Sequence, residues 1–577
     1  MRITIRTLLR FSNNDLVIMV PKSVHLTHTT SYRRSWFDRC WQPSIVLTAL
    51  ILSIPIFIIA GHIFSPSGDI WQHLVDTVLL TYLVNSTLLM VGVGLGTLLI
   101  GVSCAWLTSL CKFPGKKLFV WALLLPLAMP AYIIAYTYTG MFDFAGPVQS
   151  TIRDLTGWGY GDYYFPEVRS IGGAIIMFSL VLYPYVYLMA RAAFLEQSVC
   201  VIEVSRTLGC NAWMSFYRVA LPLARPAIVA GLSLALMETL ADYGTVSYFG
   251  LGVFTTGIFK AWFGLGDSGA AAKLAAILLL FVFTLVIIER ASRKRAKYHH
   301  TTNRYSQLPQ YKLTGLKALM ACLACLIPLL FGFLIPAFQL TLWMLDTYSE
   351  MVDASFVEIT INTIALSLSA AVLAVVLALF LAYGRRMISS KAVVSSIRIV
   401  ATGYAIPGTV VAIGVMIPFA WFDNALDSFM RLQFDISSGL LLSGSLFAVM
   451  FAYQVRFLAI SIQAVESGLG KIRPSMDEAA RSLGYKPTDV LLKIHLPLMK
   501  GSVLTALLIV FVDVMKELPA TLILRPFNFN TLAIRAYELA SDERLADSSS
   551  AALMIVAVGL LPVILLSKSI SSSRVGS

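Results

Sequence analysis

Charge is scarce in this sequence, and long polar stretches are missing. Of 577 residues only 13% are charged and 58% are apolar. A soluble domain carries about 25% charged residues, so the deficit excludes the several soluble domains that the length would otherwise suggest. Apolar runs of about 20 residues recur from residue 45 to residue 567, with no polar interval long enough for a soluble domain. The first 40 residues are polar and basic and lack an apolar h-region ahead of a small-residue cleavage site, so they read as a cytoplasmic tail. Cysteine and histidine are also few, seven of each. Cys322 and Cys325 form a CxxC, but inside a membrane segment and without a partner pair or nearby histidine. They read as small apolar filler, not as a zinc or redox site. His299 and His300 read as solvated loop residues. The net charge of +13 would suit nucleic acid in a soluble chain; here its distribution along the loops matters more, and no nucleic-acid partner is expected.

What is present is an all-α polytopic membrane pattern. Twelve spans are expected, over residues 45–63, 78–108, 118–139, 171–192, 227–249, 271–289, 316–337, 357–382, 394–420, 440–462, 502–524 and 550–567. The second and eighth exceed what an upright helix needs, so tilt or extension beyond the bilayer is expected. Lys112, Lys116 and Lys117 follow span two. Arg290, Arg293, Lys294, Arg295, Lys297, Arg304 and Lys312 follow span six, and Arg385, Arg386 and Lys391 follow span eight. The alternate loops are acidic: 338–358 holds Asp346, Glu350, Asp353 and Glu358 with no base, and 421–439 holds Asp423, Asp427 and Asp435 against Arg431. With the basic loops on one side, both termini are expected in the cytoplasm.

The chain repeats itself. Asn85-Ser-Thr87 returns as Asn362-Thr-Ile364 and Met129-Pro130-Ala131 as Ile406-Pro407-Gly408, both offset by 277. Glu203 pairs with Glu478, Gly209 with Gly484 and Leu221-Pro222 with Leu496-Pro497, offset by 275. Each half is six spans, so the repeats run parallel about an axis along the membrane normal and enclose a central path. The expected organisation is a basic tail (1–44), a first transmembrane domain (45–290), a basic cytoplasmic linker (291–315) and a second transmembrane domain (316–570).

The most specific pattern follows span four of each half. The second copy reads Glu478-Ala-Ala-Arg-Ser-Leu-Gly484, then twelve residues, then Pro497; the first reads Glu203-Val-Ser-Arg-Thr-Leu-Gly209, then twelve residues, then Pro222. Each spells a short helix closed by a left-handed glycine, a second amphipathic helix, and a proline opening the next span. The small Ala479 and Ala480 would let another protein approach closely. This loop resembles the EAA coupling motif of type I ABC importer permeases, with Val204 and Ser205 departing from the alanines of the motif. The resemblance implies that the segments carrying Glu203, Arg206, Gly209 and Pro222, and Glu478, Ala479, Ala480, Arg481, Gly484 and Pro497, transmit the closure of a cytoplasmic ATPase. Two loops imply two ATPase copies. Gly468-Leu-Gly-Lys471 is no phosphate loop of this chain's own, since Val465 and Ile472 replace its first glycine and its hydroxyl residue. No cofactor is therefore expected on this chain, ATP being used by the partner. The external loops are too short for a binding domain, which implies a separate periplasmic substrate-binding protein.

Four acids fall within the expected spans: Glu238 and Asp242, and at offset 275 Asp513 and Glu517. Each pair is spaced i, i+4, on one helix face. A lipid-facing charge costs roughly 2.5–3.5 kcal/mol, so the acids should face a cavity, the bundle interior or one another. They either line a cation path or lock helices together with Lys516; both readings stand. The segments Asp513-Val-Met-Lys-Glu-Leu-Pro-Ala-Thr521, Leu524-Arg-Pro526 and Met237-Glu-Thr-Leu-Ala-Asp-Tyr-Gly-Thr245 closely resemble those of ferric-iron permeases. That resemblance implies import of ferric iron across the inner membrane by alternating access; metal ligands along the path stay unknown. Thiamine permeases share the fused layout and are the alternative, as is another small-solute ABC permease. Tyr132, Tyr136, Tyr138, Tyr160, Tyr163 and Tyr164 read as an interfacial aromatic belt, although phenolates are good ferric ligands. A twelve-span secondary transporter would not need paired coupling loops, and between spans two and three it would carry a charged signature where Cys111-Lys-Phe-Pro-Gly-Lys-Lys117 stands. A membrane enzyme would need a nucleophile–base set or metal ligands that the sequence does not display.

Overall fold

A computed structural model describes residues 36–66, 68–159, 162–196, 207, 209, 211–294, 310–388 and 390–572. Helices dominate: α1 (Trp36–His62), α2 (Leu79–Leu110), α3 (Ala131–Phe142), α4 (Ile171–Glu196), α5 (Leu221–Ala241), α6 (Ser268–Lys294), α7 (Leu316–Met351), α8 (Ala354–Met387), α9 (Gly408–Phe434), α10 (Leu446–Gly470), α11 (Pro474–Ser482), α12 (Lys500–Met515) and α13 (Ser549–Ser572). Among the described residues nine helices are long and apolar enough to cross a membrane. Two further spans are bent pairs, Lys116–Ala128 with Ala131–Thr156 at 90° and Pro487–Leu498 with Lys500–Met515 at 80°. In α13 the described apolar stretch is Ser549–Ile564. Every expected span thus has helix in it, while α7 and α9 run past their expected ends to Met351 and Phe434.

The helices are apolar on the outside. On α2 the exposed positions Leu80, Val84, Leu88, Val91, Leu95 and Leu99 recur every three or four residues, whereas Ser86, Thr97, Gly101 and Cys104 are buried. Small and mildly polar residues bring helices together, and leucines face the lipid, which is as apolar as they are.

Each half lends its first span to the other. The α1 helix packs on α9 and on the helix Lys391–Val400. Trp41 stacks on Phe380 at 5.7 Å, and Gln42 Nε2 donates to Ser390 Oγ at 3.2 Å. Reciprocally α7 lies against α2, α3 and α4. Tyr138 donates to the Phe331 carbonyl at 2.5 Å, and the Cys104 thiol reaches the Ala324 carbonyl at 3.5 Å. The repeated triplet beginning at Asn85 and Asn362 acquires a role: Ser86 and Thr363 hydroxyls accept from Phe254 N (3.4 Å) and Leu532 N (2.9 Å), each opening a short helix of its half.

Four expected spans are interrupted where the sequence reading had run straight helices. The breaks fall at 123–130, 242–243, 401–407 and 516–518. Pro130 and Pro407 stand at the N-caps of α3 and α9, and Pro519 opens the helix Pro519–Leu524. Proline removes an N–H and disfavours helix in the residue before it, which accounts for breaks at these points. In a membrane such backbone is tolerated where it lines a cavity or is buried in protein.

Candidate functional site

All four breaks meet at one chamber of about 110 Å³ between the halves. Leu127, Met129 and Pro130, then Asp242 and Tyr243, then Tyr404, then Lys516 and Leu518 line it. The four sequence-predicted acids Glu238, Asp242, Asp513 and Glu517 all face this chamber, two from each half.

Their pairing differs. At Asp242 and Glu517 the chain has left the helix, so the expected i, i+4 helix face does not continue through them. Instead these two carboxylates hold the N-termini of the short helices beyond the breaks. Asp242 accepts from Thr245 N (2.9 Å), Val246 N (3.3 Å) and Thr245 Oγ1 (3.1 Å). Glu517 accepts from Ala520 N (3.1 Å), Thr521 N (3.1 Å) and Thr521 Oγ1 (2.8 Å). Satisfying first-turn N–H groups with a carboxylate is favourable in itself. Glu517 is in addition clamped by Arg456 Nη1 at 2.8 Å, both side chains nearly buried. The other two acids carry fewer bonds: Asp513 pairs with Lys516 at 2.9 Å, and Glu238 accepts from Tyr404 at 3.1 Å. Asp242 and Glu517 thus tie the backbone at the breaks, and Lys516 neutralises its neighbour Asp513.

Sequence reasoning missed Arg456. At offset 275 the equivalents of Arg456 and Lys516 are Val181 and Ala241, so both chamber cations belong to the second half. The available signal was an arginine in mid-span, which is costly unless paired. Gly408 also finds its reason here. A Cβ on it would meet Glu517 Oε1 at 2.5 Å and Arg456 Nη1 at 2.8 Å; Ala131, its equivalent, has no such pair to accommodate. With four carboxylates against two cations the chamber has a formal excess of negative charge. Among the described residues no three His, Cys, Asp or Glu side chains are gathered closely enough to hold a metal ion.

The tyrosines divide as well. Tyr132, Tyr136 and Tyr138 are buried, not set in an outer belt. Tyr132 lines the chamber, and Tyr136 packs on it at 5.7 Å and on Tyr248 at 4.7 Å. Tyr163 donates to Gln149, Tyr164 is exposed, and Tyr160 lies outside the described residues.

The loop after α10 closes as its sequence spells, except that Pro497 does not open the next span: it lies in the helix Pro487–Leu498, ahead of the 80° bend into α12. Gly484 has φ +86°, with Tyr485 N bonded to Ala480 O (3.1 Å) and Gly484 N to Arg481 O (3.0 Å), the Schellman closure of α11. Gly209 has φ +80°; Glu203 and Arg206 lie outside the described residues. Immediately before Pro222 and Pro497 both halves carry a π-turn, Phe216–Ala220 and Leu491–His495. The widened turn precedes the residue that cannot donate. Glu478, Ala479, Arg481, Leu483 and Tyr485 are exposed, whereas Ala480 is buried against its own bundle. Only Ala479 of the two alanines is therefore open to another protein, a correction that follows from α11 having one inward face. Asp477 on that side binds Arg386 Nε (2.7 Å) and His495 Nε2 (2.6 Å). Burial alone would raise its pKa, but those two partners hold it below the usual carboxylate value.

The basic loops share a side with this one: Arg385 pairs with Glu466 at 2.6 Å, and Cys111–Lys112 runs parallel to Tyr311–Lys312 in a two-residue pairing. Two exchanged helical halves around a charged, broken-helix chamber, with a short helix on the basic side, define a multi-pass membrane permease. Residues 97–298 match the family described as binding-protein-dependent transport system inner membrane component. The molybdenum transport system permease ModB of Escherichia coli is 30% identical over 206 residues, 34% of this chain and 87% of the relative. An Fe(3+)-transport system permease of Haemophilus influenzae is 27% identical over 496 residues, 84% of this chain and 89% of its own length. The sulfate transport system permease CysW of Escherichia coli is 26% identical over 204 residues, 35% of this chain and 67% of the relative. The chain belongs to the binding-protein-dependent inner membrane permeases of ABC importers. Its relatives are transport permeases, not enzymes.

Proposed function

We propose that this chain is a fused two-unit permease importing ferric iron. The carrying observation is the chamber: four acids, two from each half, converge on one cavity with an excess of negative charge. A hard polyvalent cation is the substrate class such a lining favours. The similarity to the Haemophilus Fe(3+)-transport permease, along most of both chains, supports the same reading.

In this account units 45–290 and 316–570 exchange their first helices, and 291–315 links them. Both termini and the basic loops face the cytoplasm. Two ATPase copies dock on the loops, on Glu203, Arg206, Gly209 and Pro222 in one and on Glu478, Ala479, Arg481, Gly484 and Pro497 in the other. ATP is consumed by those subunits, and this chain binds no cofactor. ATP-driven closure moves the loops and rocks the halves, so that the chamber receives substrate from a periplasmic binding protein and then opens inward. Glu238 and Asp513, the acids with fewest internal bonds, are the candidates to meet the cation; Asp242 and Glu517 chiefly hold the breaks in shape.

A second reading, an oxyanion, is favoured by Arg456 and Lys516 in the same chamber and by the similarity to permeases named for molybdenum and sulfate. Uptake into proteoliposomes holding the chain, its ATPase and its binding protein separates them. ATP-dependent accumulation of labelled ferric iron, and not of molybdate, sulfate or thiamine, is expected. Accumulation of either oxyanion or of thiamine instead would overturn the iron assignment and leave the permease class standing.

A further inference from the structure

The loop after α10 is anchored by charged groups whose equivalents the first half does not carry. In the second half Arg386, in the last turn of α8, spends its whole guanidinium on the end of α10 and the loop that follows it. Nε binds Asp477 at 2.7 Å, Nη1 the Leu469 carbonyl at 2.6 Å and Nη2 the Ile472 carbonyl at 2.9 Å. On the other side of Asp477, His495 Nε2 donates at 2.6 Å from a fully buried ring. That ring packs edge-to-face with Tyr383, ring centroids 5.5 Å apart, and Tyr383 in turn donates to Pro487 O at 2.8 Å. Asp477 therefore ties α11 both to α8 and to the segment leading into α12. The α8 helix packs along α10 and α12, the helices that bring Arg456 and Asp513 to the chamber.

At the equivalent positions of the first half stand Ser109, Ile202 and Ala220, with Trp106 in place of Tyr383. None of these carries charge. Trp106 packs there on Phe216 at 4.8 Å, on Phe194 at 5.8 Å and on Tyr311 at 6.3 Å. A planar guanidinium gripping one carboxylate and two carbonyls fixes orientation in a way that stacked rings, free to slide, do not.

We propose that Arg386, Asp477 and His495 form a positioning joint, rigid and specific to the second half, through which movement of α11 reaches the chamber. It rests on the reading of α11 as an ATPase-facing helix.

The test uses the complete transporter in proteoliposomes and reads substrate moved per ATP hydrolysed. Arg386→Gln and Asp477→Asn should each lower that ratio roughly two- to thirtyfold, the range found for mutations that modulate coupling between sites. The double variant should be no worse than either single one, because each breaks the same joint. His495→Gln, which keeps an N–H for Asp477, should hold the ratio where His495→Ala loses it. Ser109→Ala, at the first-half position of Arg386, should leave it unchanged. Wild-type ratios in Arg386→Gln and Asp477→Asn, or strictly additive losses, would overturn the joint. Gly484→Val serves as the control. If it uncouples while Arg386→Gln does not, the joint alone is wrong; if neither uncouples, the reading of α11 has failed first.

Discussion

Replacing Gly484 separates backbone geometry from bulk at the loop proposed to dock the ATPase. A Cβ there would meet nothing within 4 Å, so the folded chain offers no steric objection, and the cost lies in φ +86° alone. A left-handed conformation costs an ordinary L-residue about 1–2 kcal/mol, and a β-branched one stands at the upper end. Alanine should therefore depopulate the closed end of α11 by about fivefold and valine by about thirtyfold. Asparagine visits the left-handed region readily and should retain most of the wild-type population. Since α11 is only nine residues long, its closure contributes much of its order. The measurements are ATP-dependent uptake and co-purification of the ATPase, with membrane insertion as the control. The expected order of activity is Gly, Asn, Ala, Val, with insertion unchanged. Asparagine is as bulky as valine, so an Asn variant as impaired as Val would refute the conformational explanation; a Val variant of full activity would refute the role of the loop.

Arg456→Met should leave Glu517 buried without its cation; breaking such a pair costs about 3–5 kcal/mol, and the three remaining hydrogen bonds to Glu517 place the loss at the lower end. Thermal unfolding of the detergent-purified protein would measure it, with Glu517→Gln expected to lose less. Gly408→Ala pushes a methyl into the same ion pair and should cost about 1–3 kcal/mol by the same assay, while enlarging Ala131 to serine should be milder. The depressed pKa of Asp477 gives a pH dependence of defined sign: its contribution is complete above the unfolded value of about 3.9 and is lost as pH falls through the lower folded value. Unfolding curves of wild type and Asp477→Asn should differ at neutral pH and converge in acid; a constant difference would contradict the pairing with Arg386 and His495.

The membrane class, the repeat and the two glycine-closed loops were legible because each rests on local pattern: apolar runs, fixed offsets, and a glycine followed by proline at constant spacing. The acids were legible too, since charge in an apolar run demands an inward environment. The breaks were not. Pro126, Pro130, Pro407 and Pro519 were present in the runs, but hydropathy averages over a window and reads through them. The exchange of first helices was equally hidden, because nothing local to Trp41 or Phe331 says which half it will pack against. Arg456 went unnoticed for a related reason: its partner Glu517 lies 61 residues away, beyond any periodicity. Ala480 shows the limit in miniature, for a small residue signals close approach without saying by whom.

The most direct test of the account is ferric-iron uptake by the double variant Glu238→Gln, Asp513→Asn in proteoliposomes with ATPase and binding protein, alongside wild type. Iron accumulation should fall severely while the ATPase still co-purifies, since the chamber loses its two least-bonded carboxylates and the loops are untouched. Iron uptake equal to wild type would contradict the central claim that the cation passes through the acidic chamber between the halves.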